Sequence, residues 1–153
     1  MDDAPSGGTA AADGAGATDG ESAGADPSLV ALGAVGISNL YFGYVALASV
    51  ADGFASGAYA EDTASALARE SIAFHESARS ALEKLLGEGD IAPEEQPVLR
   101  QMIRAHDLLI QEARGLIRFV SSPGDSEAFR RYRDQAWEVI SELLAGEGEV
   151  TTP

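Results

Sequence analysis

The chain has 153 residues, no cysteine and a formal net charge of −15. The lack of cysteine excludes disulfides, thiolate metal sites and cysteine nucleophiles, and the excess of acidic residues excludes nucleic acid as a favourable partner because its phosphates are repelled. A chain of this length suits one domain with a hydrophobic core of its own.

Residues 1–26 are an Ala/Gly/Asp-rich segment of low complexity. They include eight alanines, six glycines and six acidic residues, with no basic residue. Such a segment cannot offset the entropy of ordering, about 1–2 kcal/mol per residue, so it is predicted to be a disordered acidic tail. It lacks the basic and apolar regions of a secretory signal. We expect a soluble cytoplasmic protein by default, or an envelope-tethered one if a signal was removed ahead of Met1.

The first predicted helix covers residues 28–56. Residues 27–51 carry no charge, and 25 helical residues extend about 37 Å, enough to cross a bilayer core of about 30 Å. Against a membrane span stand Ser38 and Asn39 at the centre and the absence of any basic residue before Arg69. We therefore favour a buried bundle helix and keep membrane attachment through this helix as an alternative.

This first helix has more apolar surface than one bundle core requires. Large apolar side chains fall on nearly every face: Leu32, Val35, Ile37, Leu40, Phe42, Val45, Leu47 and Val50. Three companion helices leave part of such a surface uncovered, which predicts a homo-oligomer or a protein partner that supplies a further helix.

The second predicted helix begins near Glu61 and ends at Leu86. Gly57 suits a left-handed C-terminal cap of the preceding helix, and Gly87 is expected to end the second helix. The predicted buried seam follows steps of three and four: Ala64, Leu67, Ser71, Phe74, Ala78, Ala81 and Leu85, with Ile72, Leu82 and Leu86 beside it.

The third predicted helix opens at Pro93 and carries the longest apolar seam of the chain. The seam consists of Leu99, Met102, His106, Leu109, Ala113, Leu116 and Val120, widened by Ile103, Ile110 and Ile117. A stripe of this width has to be covered by more than one neighbour, so this is predicted to be the inner helix. The fourth helix follows Asp125, its predicted N-cap, from Ser126 to about Ala145.

The fold class predicted from these segments is all-α. Four helices of about 20–28 residues joined by short loops are typical of an antiparallel up-down four-helix bundle. We assign residues 27–146 to the bundle and residues 147–153 to a frayed C-terminal tail. The helix pattern and composition resemble those of small helical proteins of bacteria, a resemblance that implies no mechanism.

Two histidines are predicted to meet inside the bundle. His75 and His106 are equally distant from the centre of the loop between helices 2 and 3, so an antiparallel pair of helices places them at the same height. Tyr41 falls at that height on helix 1, and Asn39 and Ser71 lie within one turn of it. These five residues predict a polar layer that either fixes the helix register or binds a small ligand or cofactor.

The sequence offers no assignable catalytic, cofactor or metal site. Di-iron bundles use Glu-x-x-His, but Ile72 and Ile103 stand three residues before the two histidines. Zinc catalysis requires three protein ligands, and Ser71 with His75 forms a nucleophile–base pair in spacing only. We therefore predict a non-enzymatic bundle that acts through association, with a small-ligand or cofactor carrier as the alternative.

Overall fold

The computed structural model describes residues 27–147, which form four α-helices. They are α1 (Pro27–Ala55), α2 (Glu61–Glu88), α3 (Gln96–Ser121) and α4 (Glu127–Glu147). The predicted all-α class is confirmed, since this part of the chain holds four helices and no strand. The predictions for residues 1–26, and for the C-terminal tail beyond Glu147, lie outside the described residues.

The helix boundaries lie within about two residues of those predicted, except at the start of α3. Helix α2 continues through Gly87, and the N–H of Gly89 donates to the carbonyl of Leu85 to close the last turn. Helix α3 starts at Gln96 rather than at Pro93, because residues 93–95 form a separate turn. A proline restricts the residue before it, and Pro97 fits the first turn of the later start.

The predicted turn at Gly57 is confirmed. Its φ of 77° lies in the left-handed region, where a residue without Cβ is favoured. The N–H of Gly57 donates to the carbonyl of Phe54, and the N–H of Ser56 donates to that of Asp52. This turn reverses the chain between α1 and α2.

Helix α3 lies at the centre of the bundle, as its seam predicts. It packs against each of the other three helices, whereas α2 and α4, among the described helices, do not pack against each other. All seven predicted seam residues are buried. The three helices α2, α3 and α4 therefore form an open cradle, and α1 lies in it between α2 and α4.

Side-chain contacts give the relative directions of the helices. As residue numbers rise along α3, the numbers of the α1 residues in contact with it rise as well, so these two helices are parallel. The numbers of the contacting residues on α2 and α4 fall instead, so both of these helices are antiparallel to α3. The contacting pairs are Gly36–Met102 and Phe54–Phe119 for α1, Arg79–Asp107 and Glu76–Arg114 for α2, and Glu142–Gln101 and Phe129–Gly115 for α4.

The predicted seam of α2 is wrong by about one residue of rotation. Leu67 and Phe74 are exposed, by 36% and 51%. The buried residues of this helix are instead Ala64, Ser65, Ala68, His75 and Leu82. Because α2 packs on α1 and α3 but not on α4, it needs only a narrow buried stripe. Three of the five buried residues are small (Ala64, Ser65 and Ala68), and the two large apolar side chains of Leu67 and Phe74 remain exposed.

Helix α1 buries one side only. Its buried residues Ile37, Leu40, Leu47 and Ala51 follow one another at helical spacing and face the cradle. Gly43 lies on the same side, where a Cβ would stand 2.5 Å from Cε1 of His75. A close approach of α1 to the histidine therefore depends on the missing side chain.

Candidate functional site

His75 and His106 form the polar centre of the bundle. The two side chains are 1% and 3% exposed, and their Nδ1 atoms are 2.9 Å apart. A hydrogen bond between two ring nitrogens requires that one is protonated and the other is not. The pair thus links α2 to α3 through a buried hydrogen bond.

Burial sets the protonation of both rings. It lowers the pKa of His106 to about 4, with Asp107 opposing the shift. It lowers the pKa of His75 to about 4 as well, and the charge of His106 acts in the same direction. Both imidazoles are therefore neutral at pH 7.

The other three residues of the predicted layer lie elsewhere. Tyr41 is 39% exposed on the outside of α1, where its ring contacts Phe42. Asn39 and Ser71 line a shallow groove of about 380 Å³ between α1 and α2. The structure thus brings together only the two histidines, because the buried side of α1 carries Leu40 and not Tyr41.

Gly43 occupies the position next to His75 where a ligand of the layer would bind. The Nε2 atom of His75 is buried and, among the described residues, has no hydrogen-bond partner. A Cβ on Gly43 would stand 2.6 Å from this atom. The backbone of α1 therefore closes the space beside the histidine pair.

Besides the two histidines, Glu112 is a buried ionisable residue, and the sequence patterns above did not identify it. Its side chain is fully buried on α3, and neither carboxyl oxygen has a hydrogen-bond partner within residues 27–147. Burial raises its pKa to about 8, with the charge of Arg133 opposing and that of Asp134 adding to the shift. The carboxyl is therefore largely protonated at pH 7. A sequence signal existed, since Glu112 lies three residues after Leu109 and four before Leu116.

The outward side of α1 is an exposed apolar surface. Phe42 and Val35 are 65% and 59% exposed, and they are the two most exposed large apolar residues described. Further apolar side chains exposed on this helix are Val30, Leu32, Tyr41 and Val45. We refer to the exposed side of residues 30–49 as the outer face of α1.

Helix α1 is also long and apolar enough to cross a membrane, by length and composition only. The segment that meets this criterion is Val30–Ala55, with 26 residues, of which a small share is buried in the bundle. A helix buried in a soluble core passes the same test but is mostly enclosed. The outer face is thus a property of this helix that its place in the bundle does not explain.

A cavity of about 650 Å³ opens at the end of the bundle where α1 begins and α4 ends. Apolar side chains form its floor, and carboxylates lie at its rim. The apolar residues include Ile37, Leu99, Met102 and Leu143, and the acidic ones are Glu94, Glu95 and Glu142. Its volume is in the range of small-molecule pockets.

No group of three or more His, Asp or Glu side chains in residues 27–147 is arranged to hold a metal ion. Two ion pairs join α2 to α3, Arg79 to Asp107 at 2.7 Å and Arg114 to Glu76 at 3.1 Å, and other pairs lie within α2. Pairs of this kind add under about 1 kcal/mol each.

No protein family matches the sequence, and no curated protein or solved structure matches it either.

Proposed function

We propose that this protein works through association rather than catalysis, and that the outer face of α1 is its interface. The observation that carries this proposal is the exposure of Phe42 and Val35 within residues 27–51 of α1, a stretch that carries no charge. The partner is a second copy of the chain or an apolar helix of another protein.

The size of the outer face supports this proposal. Residues 27–51 extend about 37 Å along the helix, and no charged residue interrupts them. Monomeric soluble proteins rarely expose continuous apolar patches larger than a few hundred Å². Leu67 and Phe74 of α2 are exposed in the groove between α1 and α2, which Phe42 also lines, and they extend the apolar surface.

Sedimentation velocity of the full chain and its Phe42→Glu variant tests the proposal. A charge at the most exposed apolar position has to be desolvated in any apolar interface, which costs several kcal/mol. The wild type is expected above the monomer mass of 15.8 kDa, or at that mass until a partner is added, and Phe42→Glu is expected to lose the association.

The control for this experiment is Gln135→Glu. Gln135 is exposed on α4 and lines neither the groove beside the outer face nor the end cavity. This variant introduces a negative charge at another exposed position, so association is expected to survive. Equal behaviour of the two variants in every binding assay would contradict the proposal. Flotation of the wild type with neutral lipid vesicles, lost in Phe42→Glu, would instead favour membrane attachment through α1.

A small-ligand carrier is the second candidate function, and the end cavity is the observation that favours it. The site is then not at the histidine pair, where Gly43 closes the space, but around Met102 at the bundle end. Native mass spectrometry of the purified chain tests this candidate. A bound small molecule that is lost in Met102→Trp, which fills the cavity, would support the carrier function.

A further inference from the structure

The outer face of α1 contains a second helical seam with a regular heptad spacing. Its six members are separated by alternating steps of four and three residues, and all of them are exposed. They are Ala31, Val35, Ser38, Phe42, Val45 and Ser49. Alternating steps of four and three residues repeat every seven residues, which is the pattern of a two-helix coiled-coil contact. Helix α1 thus has one seam for the cradle and a second one that is free in the monomer.

We propose that the second seam binds the same seam of a second copy of this chain, with the two α1 helices antiparallel about a two-fold axis near residue 40. This inference rests on the proposed function and names its partner. In an antiparallel pair, the residue numbers of two contacting residues add up to the same constant at every contact. If this constant is 80, each of the six seam residues contacts another seam residue of the second copy.

The side-chain sizes favour this alignment. Phe42, the largest residue of the seam, packs against Ser38 of the partner subunit, and Val35 packs against the partner's Val45. Ala31 then meets the partner's Ser49. A large side chain opposite a small one keeps the distance between the helices even. A parallel pair would place Phe42 against the partner's Phe42 and leave Ser38 against the partner's Ser38.

The charges favour the same arrangement. The chain carries a net charge of −15, so two copies repel each other except where their surfaces are uncharged. In a parallel pair, the six acidic residues of each N-terminal segment begin at the same end of the dimer. In the antiparallel pair, the two segments begin at opposite ends, and the helix dipoles are opposed as well.

The polar residues beside the seam also fit an antiparallel dimer. Asn39 and Tyr41 are exposed on opposite flanks of the seam. With a sum of 80 at the seam, Asn39 lies about 3 Å along the axis from the partner's Asn39, and Tyr41 is equally close to the partner's Tyr41. The two amides are then able to bond to each other, which disfavours other registers. A lipid surface offers no such partner to Asn39.

Single cysteines test the alignment, because the chain has none of its own. Tyr41→Cys alone is expected to give a cross-linked dimer with a short bismaleimide. Ala31→Cys alone is not, because the two positions are about 27 Å apart in the antiparallel pair. A mixture of Ala31→Cys with an affinity-tagged Ser49→Cys chain is expected to cross-link, although neither chain does so by itself.

The outcomes separate the inference from the proposed function. Cross-linking of Ala31→Cys to itself shows a parallel dimer, and it overturns this inference while association through α1 stands. A monomer that binds vesicles or another protein through Phe42 likewise overturns this inference, while association through α1 stands. A monomer for which Phe42→Glu changes no interaction overturns both. If the inference holds, Phe42→Glu raises the dissociation constant about 100-fold or more, and Gln135→Glu changes it less than about threefold.

Discussion

The close contact between Gly43 and His75 leads to the most specific prediction from the structure. In the Gly43→Ala variant, the new Cβ would stand 2.5 Å from Cε1 and 2.6 Å from Nε2 of the imidazole. Non-bonded carbon atoms prefer about 3.5–4.0 Å, so α1 or the ring has to move by about 1 Å. The ring is held by its bond to His106, which makes the helix the part that shifts.

The magnitude follows from two opposing effects. Alanine stabilises a helix interior by about 1 kcal/mol relative to glycine. Overpacking a core costs about 1–3 kcal/mol, and the His75–His106 bond is kept because the helix is the part that moves. The net expectation for Gly43→Ala is a decrease of about 1 kcal/mol in the free energy of unfolding, within a range of about 0–2 kcal/mol.

The chain offers a matched control on the same helix. A Cβ on Gly33 would meet no atom within 4 Å, so Gly33→Ala is expected to leave stability unchanged or raise it by up to about 1 kcal/mol. In a His75→Ala background, the ring is gone and Gly43→Ala is expected to be stabilising. The coupling between positions 43 and 75 is then about 2 kcal/mol.

Equilibrium unfolding in urea measures these free energies, with far-ultraviolet circular dichroism as the global probe. Trp137 is the one tryptophan of the chain and lies 5.3 Å from the ring of Tyr44 on α1, so its fluorescence reports the docking of α1. The reasoning is refuted if Gly43→Ala is as stable as Gly33→Ala, or if its cost is the same with and without the His75 ring.

Three further predictions concern buried charge and the backbone. Folding raises the pKa of Glu112 from 4.5 to about 8. The unfolded chain therefore loses this proton first, and the free energy of unfolding falls as the pH rises from 4.5 to 8. The Glu112→Gln variant is expected to show a smaller pH dependence in this interval and a free energy of unfolding a few kcal/mol higher at pH 8. Folding lowers the pKa of His75 and His106 from 6.5 to about 4, so the free energy of unfolding falls by about 3 kcal/mol for each ring as the pH decreases over that range. Urea titrations of a His75→Leu/His106→Leu variant are expected to show a smaller loss of stability at low pH. An unchanged loss would disprove the role of the pair. Gly57→Ala is expected to cost about 1 kcal/mol, because a Cβ is strained at its φ of 77°, and thermal unfolding measures it.

The sequence by itself determined the helices and the centre of the bundle. Repeated steps of three and four residues placed Leu99, Met102 and the rest of that seam in the core, because a strongly amphipathic helix has only one way to bury its apolar side. The spacing of His75 and His106 about their loop was enough to place them at one height, because antiparallel helices pair residues equally distant from the turn. Glycine at 57 marked the reversal for a similarly local reason.

Only the tertiary structure decided how α1 and α2 are rotated about their axes. Helix α1 is apolar on nearly every side, so its pattern does not distinguish Leu40, which is buried, from Tyr41, which is exposed. In α2, Ala64, Ala68 and His75 are buried while Phe74 is exposed, because close packing depends on the shape of the neighbouring helices as well as on hydrophobicity. The spacing of Glu112 from Leu109 and Leu116 indicates that it is buried, but only the packing of α3 against α4 brings its carboxyl near Arg133 and Asp134.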